Sequence, residues 1–519
     1  MRRPALVALL AGGGAVFAFA PFGLFPLALP SLAVLAALLG RAGGAADGFR
    51  LGFCWGFGAF GAGVSWLYVA LERYGGMPAP LAALAIALFC AYLALYPALA
   101  GAAFVRLRGR GERRSASGRA GALGSAALFG ALWLLAEWLR GVLFTGFPWL
   151  AIGYSQTPPS PLAGFLPLIG VYGVGGLLAF AGALLAFADW RRPARAGGAA
   201  VLLGGLLLVG SGLLGRGWTT PAGAPVEVAL VQTRFEQSMK WDPERFAEVL
   251  RVNLELVRAA FAGADPPAIV VLPETTLPTL VDHLPEGYLA LLERFAGEAG
   301  GQLVLGVFHR DEAGRIFNAA MSLGGGEPQH YAKRHLVPFG EYSPPLFGWF
   351  YRLASIPMSD QTRGAPEQPP MRLDGQQVAL NICYEDLFGA ELIRALPAAT
   401  LMLNLSNLAW YGDSLAQPQH LQIARVRALE TGRPMLRSTN TGMTAVVLPD
   451  GSVAAVLPGF ERGVLRATVQ GYAGQTPYAR WGDRVALGLA LLTVLGMASR
   501  LVRNRARPLP EGGSLPPAP

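Results

Sequence analysis

The chain has 519 residues, of which 53% are hydrophobic and only 14% charged, and its mean hydropathy is +0.41. That is too apolar for an ordinary soluble enzyme. Three cysteines and five scattered histidines exclude a cysteine-rich scaffold or a zinc ribbon, and the formal charge of +9 does not point to nucleic acid, because the basic residues gather in short loops between apolar runs.

In chain order the apolar runs cover roughly 5–20, 24–40, 51–71, 79–105, 121–144, 161–188 and 198–215, with an eighth much later at 485–502. Most approach or exceed the ~20 residues needed to cross a ~30 Å hydrocarbon layer. The first two are short and joined by Pro21-Phe22-Gly23, which predicts a tight helical hairpin. A rival reading makes Met1 to Ala20 a cleaved signal peptide. The apolar run directly behind it, and Pro21 at the would-be cut, favour a retained helix. Arg2 and Arg3, Arg41 and Arg50, the six arginines from Arg106 to Arg119, Arg191 to Arg195, and Arg500 to Arg507 fall in alternate loops; the other loops carry only Arg73 and Arg140. The positive-inside rule then gives eight spans, cytoplasmic termini, and an outer segment from about 218 to 482. The expected division is a bundle of seven helices at 1–217, an outer domain at 218–482, a last span at 483–503 and a disordered cytoplasmic tail at 504–519.

The outer segment changes character. VEVALVQT, AIVVLPE, QLVLGVFHR, VALNICYED, TLMLNLSN, PMLRST and TAVVLPDG read as seven strands, with amphipathic stretches such as Pro243 to Ala260 and Leu289 to Ala299 among them. Strands alternating with helices imply an α/β domain around a buried sheet. There is no Gly-rich phosphate loop and no metal-ligand spacing, so neither metal nor cofactor is expected.

One strand ends on Cys383, where backbone N–H groups of the following turn can face a ligand. A lone cysteine in an apolar strand is ordinarily a packing residue. Here, however, Cys54 and Cys90 fall inside spans, and Cys383 is left as an unpaired thiol on the oxidising side, which favours a reactive role. A thiol of ordinary pKa near ~8.5 needs a base or a cation beside it. His335 and His420 could serve as the base, but neither stands at a strand end. Glu274 does, after Val270-Val271-Leu272-Pro273. The chain has 40 arginines and only two lysines, Lys240 and Lys333, so each lysine is a candidate for work a guanidinium cannot do. Glu274, Lys333 and Cys383 make a coherent base, ammonium and nucleophile.

The trio VVLPE, YAKRHLVPFGEY and NICYED resembles the carbon–nitrogen hydrolase (nitrilase) superfamily and its Glu–Lys–Cys triad. With the apolar runs, and with QSMKWDP, SNLAWYGDS and HLQIARVRALETGRPMLRSTNTG, nearly the whole chain is similar to the bacterial apolipoprotein N-acyltransferase family. The resemblance implies a nitrilase-like α-β-β-α sandwich on the periplasmic side of the inner membrane. It implies Glu274 as general base, Lys333 as oxyanion-stabilising ammonium and Cys383 as nucleophile, with Glu341, Tyr384 and Glu385 in support and Trp241 as a substrate-side aromatic. Without a functional role, Glu341 would be a surface salt-bridge partner and Trp241 a loop anchor. The implied donor is a membrane phospholipid and the acceptor the diacylglyceryl-cysteine N-terminus of a lipoprotein; a monomer is expected. One departure is Leu408, where the family usually has Asp.

Two other functional classes compete. A membrane-anchored amidase or nitrilase acting on a small substrate would need one anchor helix, not eight runs. A transporter would want ionisable residues or broken helices at midplane, whereas the ionisable residues here gather in loops and in the outer segment. Glu137 and Arg140, three apart near the outer end of the fifth run, read as a brace toward the outer domain or as a functional pair. Glycines and aromatics from Gly52 to Trp66 could pack helices or line a lipid path.

Overall fold

The computed structural model describes residues 2–115, 119–190, 192–240, 242–343 and 360–506. The N-terminal part is a helical bundle: α1 (Arg2–Gly14), α2 (Ala28–Arg41), α3 (Ala45–Gly63), α4 (Ala79–Ser115), α5 (Arg119–Val142), α6 (Leu166–Phe187) and α7 (Pro193–Leu214). α1 and α2 form the expected hairpin, tied by Ser31 Oγ donating to Ala11 O at 2.7 Å. Gly52 and Gly56 of α3 are packing residues. A Cβ at Gly52 would lie 2.2 Å from Pro97 O and one at Gly56 2.6 Å from Pro97 Cγ, so α3 and α4 meet backbone to backbone.

Each of the eight apolar runs is helical, but the expectation of eight spans is not met by length. Among the described residues five helices are long and apolar enough to cross a membrane, or six if α3 and the segment Leu67–Tyr74, bent by 62°, count as one. The two N-terminal helices are shorter, as their short runs on either side of Pro21 suggested.

The second part holds two six-stranded sheets. In chain order come β1 (Val226–Gln232), α8 (Phe246–Phe261), β2 (Ile269–Val271), α9 (Tyr288–Glu298), β3 (Gln302–Arg310), β4 (Ile316–Leu323), β5 (His330–Ala332), β6 (Met371–Leu373), β7 (Gln376–Ile382), β8 (Leu401–Ser406), α10 (Ala416–Thr431), β9 (Met435–Thr439), β10 (Ala445–Val447), β11 (Val453–Val456) and β12 (Gly463–Val469). The sheet orders are β12-β1-β2-β3-β4-β5 and β11-β10-β9-β8-β7-β6. Each has a parallel centre (β1–β2–β3 and β7–β8–β9) edged by antiparallel strands.

Strand alternation sorts the side chains into layers. Val226, Val228, Leu230, Ile269 and Val271 meet Val378, Leu380, Ile382, Leu401, Leu403 and Leu405 between the sheets. Their neighbours Ala229, Val231, Val270 and Leu272 face Leu250, Val257, Leu292 and Ala296 of α8 and α9. On the far side Ala379, Met402, Met435 and Ala445 face Leu421, Ala424 and Ala428 of α10. This is the α-β-β-α sandwich. All seven expected strands are present; β4, β5, β6, β11 and β12 went unread.

α10 is buried on both faces, and its polar residues bond to the bundle. Gln419 Oε1 accepts from Trp149 Nε1 at 2.8 Å, Gln422 Oε1 from Ala20 N at 3.0 Å, and Arg427 Nη2 donates to Tyr154 Oη at 2.7 Å. Glu430 Oε1 accepts from Val171 N at 2.7 Å. That N–H is available because Gly170, at φ +66°, interrupts helical geometry in α6. The last helix, α11 (Arg484–Ala506), returns to the bundle against α5. It takes in residues 504–506, which the sequence assigned to a disordered tail; 507–519 lie outside the described residues.

Candidate active site

The site is built from strand ends. β2 ends at Val271, and Leu272-Pro273 lead from it to Glu274; β5 runs out into Lys333; β7 ends at Ile382 and presents Cys383, whose φ of +53° is a strained conformation for a residue with a Cβ. Glu274, Lys333 and Glu341 meet. Lys333 Nζ lies 2.6 Å from Glu341 Oε1 and 3.2 Å from Glu274 Oε1, and its side chain is 0% exposed. Asn318 Nδ2 on β4 donates to both carboxylates, at 2.8 Å to Glu274 and 3.1 Å to Glu341, and Asn407 N donates to Glu274 Oε2 at 2.8 Å. Glu341 is therefore an internal partner of Lys333, not a surface one; its other oxygen accepts from Val337 N at 2.8 Å.

Burial alone would push the Lys333 ammonium down, but the Glu274 and Glu341 carboxylates outweigh it and hold it well above its ordinary value. The partly accessible Cys383 is shifted upward as well, which here keeps the group neutral. Desolvation, then the Glu274 charge, raises its thiol well above the usual range, with Lys333 opposing. A resting thiol beside a carboxylate and a permanent cation can be deprotonated as it attacks, and the same cation can receive an oxyanion.

Glu385 fixes the nucleophile turn. It accepts from Ile382 N (2.7 Å), Arg334 N (2.7 Å), His335 N (3.1 Å) and Tyr331 Oη (2.9 Å), so one carboxylate ties the Cys383 turn to the loop after Lys333. Tyr384 Oη donates to Gly146 O at 2.9 Å, and His335 Nε2 lies 2.9 Å from Thr145 O. The site thus rests on the loop after α5. Arg140 braces that loop by donating to Phe147 O and, at 2.7 Å, to Trp149 O, while Glu137 Oε1 accepts from Ile152 N at 2.7 Å. Trp241 lies outside the described residues.

Neither histidine is a base for Cys383. His335 stacks on Phe388 and bonds to Glu391, and His420 is enclosed by Asp386 and Arg437. Sequence reasoning passed over Asn318, Asn407 and the Asp386–His420–Arg437 cluster. Asp386, in YED, was visible; the asparagines carried no signal.

Lys240, the other lysine, also lies here. From the short helix Gln237–Lys240 its Nζ donates to Glu274 O at 3.1 Å and to Thr275 Oγ1 at 2.6 Å. Burial pushes it down to about 7, although Glu274 and Cys383 favour its charge.

The carbon–nitrogen hydrolase family model matches residues 227–478, and that of the apolipoprotein N-acyltransferase N-terminal domain matches residues 11–184. The apolipoprotein N-acyltransferase of Nitrosomonas europaea is 45% identical over 97% of this chain and 98% of its own. The chain belongs to the apolipoprotein N-acyltransferase family. The enzymes of that name from Ralstonia nicotianae and Chromobacterium violaceum are each 44% identical, over 98% and 95% of this chain and 95% and 93% of theirs. It is accordingly an acyltransferase with a carbon–nitrogen hydrolase domain. Leu408 is buried, with its Cδ1 2.8 Å from where a Cβ on Gly442 would stand.

Proposed function

We propose that this acyltransferase N-acylates the diacylglyceryl-cysteine N-terminus of lipoproteins, with a membrane phospholipid as donor and a thioester on Cys383 as intermediate. The observation that carries the reading is the buried Glu274–Lys333–Glu341 cluster facing the thiol at the end of β7. Glu274 takes the thiol proton as sulfur attacks the ester carbonyl. Lys333 and the N–H of Tyr384 receive the oxyanion, Glu274 returns its proton to the departing lysophospholipid, and the acceptor amine then attacks the thioester. Tyr384, Glu385 and Glu341 hold this arrangement, and Trp241 contacts substrate.

The membrane reading assigns 1–217 and 483–503 to an eight-span bundle, with its two short N-terminal helices included, and 218–482 to the periplasmic face of a bacterial inner membrane. The loop arginines support that orientation, and two lipid-anchored substrates give the bundle a purpose. Accessibility probes placed near Gly111 and Arg192 are expected to report cytoplasm, and probes near Gly223 the outer side. Residues 220–480 found in the cytoplasm would sink both the topology and the substrate.

Transfer and hydrolysis differ in what resolves the thioester. Purified protein given phospholipid alone is expected to release about one equivalent of lysophospholipid in a burst and then stall. A diacylglyceryl peptide with a free N-terminal amine should restart it, a blocked amine should not, and Cys383→Ser should give no burst. Steady fatty-acid release without acceptor would overturn this reading in favour of a membrane-anchored amidase-like hydrolase.

A further inference from the structure

The transfer step has a proton left over. The acceptor amine, with an ordinary pKa of about 7.7–8.0, arrives at neutral pH largely as R–NH3+. Forming its N–C bond and breaking the C–S bond removes two protons from nitrogen. One goes by way of Glu274 to the departing Cys383 sulfur. The other needs a second acceptor, and Glu274, holding the first, cannot take both.

We propose that Lys240, as the free amine, accepts this second proton from the incoming α-ammonium and passes it to water before the next turnover. The inference rests on the thioester reading above. Its first ground is geometry: Lys240 is buried and anchored on the base itself, donating to the Glu274 carbonyl and the Thr275 hydroxyl. A neutral amine has two N–H groups and a lone pair. Those two bonds use both N–H groups and leave the lone pair for a proton.

The second ground is the contrast between the two lysines. Lys333 is held between two carboxylates, which lock it as a cation; both hydrogen-bond partners of Lys240 are neutral oxygens. The titratable groups facing Lys240 are the Glu274 carboxylate on its own turn and the Cys383 thiol opposite, both favouring the ammonium, with Lys333 and Glu341 beyond Glu274. Acylation removes the thiol from that set, because a thioester cannot ionise. The descent of Lys240 to about 7 by burial is in keeping with that contrast.

The third ground is placement. Gln237 Oε1, at the start of the short helix that carries Lys240, accepts from Asn407 Nδ2 at 3.0 Å, and Asn407 N donates to Glu274 Oε2. The helix is thereby registered against the same carboxylate it would assist.

The test separates the half-reactions. Wild type, Lys240→Met, Lys240→Gln and Lys240→Arg are loaded with phospholipid, the acyl-enzyme on Cys383 is quantified, and transfer to a diacylglyceryl peptide is timed from pH 6 to 9.5. In the wild type, transfer per loaded site rises as pH passes about 7, where Lys240 becomes neutral. In the variants the rise moves to the amine's own range near 8, so transfer is about tenfold slower at pH 7 and recovers by pH 9, a tenfold loss corresponding to one pKa unit. Arginine should not rescue, since a guanidinium does not give up its proton. Equal slowing at every pH, no slowing, or failure of all three variants to load overturns the proposal. A wild-type protein that forms no acyl-enzyme would instead sink the thioester reading.

Discussion

Lys333→Arg is expected to form acyl-enzyme far more slowly than the wild type although the charge is kept. Lys333 Nζ sits at 2.6 Å from Glu341 and 3.2 Å from Glu274 with its side chain fully enclosed. A guanidinium is planar and larger, and its fork cannot place one donor where the ammonium places its own. Loss of an oxyanion contact is worth about 2–4 kcal/mol in the barrier, roughly a 30- to 900-fold slower burst. Overpacking the pocket would add about 1–3 kcal/mol of destabilisation, so thermal unfolding is measured on the same sample. Normal burst kinetics in a folded Lys333→Arg protein would remove Lys333 from the chemistry.

The second large effect is on stability. Asp386 is fully buried and accepts from Arg437 Nη1 at 2.8 Å and from His420 Nε2 at 2.8 Å, while Arg437 Nη2 lies 2.9 Å from His420 Nδ1. Burial holds His420 below its ordinary pKa against the pull of Asp386, so the ring is neutral, accepting from Arg437 and donating to Asp386. Asp386→Ala strands the Arg437 cation in the interior. Breaking such a pair from one side costs about 3–5 kcal/mol, which for a domain of this size lowers the unfolding midpoint by on the order of 10 °C. Because Asp386 lies in the turn begun by Cys383, alkylation of Cys383 by iodoacetamide should change in the same variant. An unfolding midpoint within 2–3 °C of wild type, roughly 1 kcal/mol, would show that Arg437 finds water or another partner.

These clusters mark the limit of what one sequence makes legible. Strand ends at Glu274 and Cys383 could be read directly, because a short apolar run bounded by polar, Pro or Gly positions is a local signal. The rarity of lysine singled out Lys333 and Lys240, and the loop arginines suggested an orientation. β4, with the sequence IFNAAMSL, was missed because its alanines and Asn318 carry little strand propensity. It is held by pairing with β3 along its whole length, and it supplies the side chain that bridges two carboxylates.

α10 shows the same limit in a helix. Its polar residues conceal its burial, because one face meets β-sheet and the other meets the bundle, and neither partner is near in sequence. Gln419 reaches Trp149 across 270 positions and Glu430 reaches Val171 across 259. Apolar runs, strand ends and rare residue types were determined by the sequence alone, since each depends on neighbours a few positions away. Tertiary structure decided that Glu341 is internal, that Lys240 anchors on Glu274 and that Asp386, His420 and Arg437 close on one another. Those outcomes depend on desolvation and hydrogen bonding between segments that only the folded chain brings together.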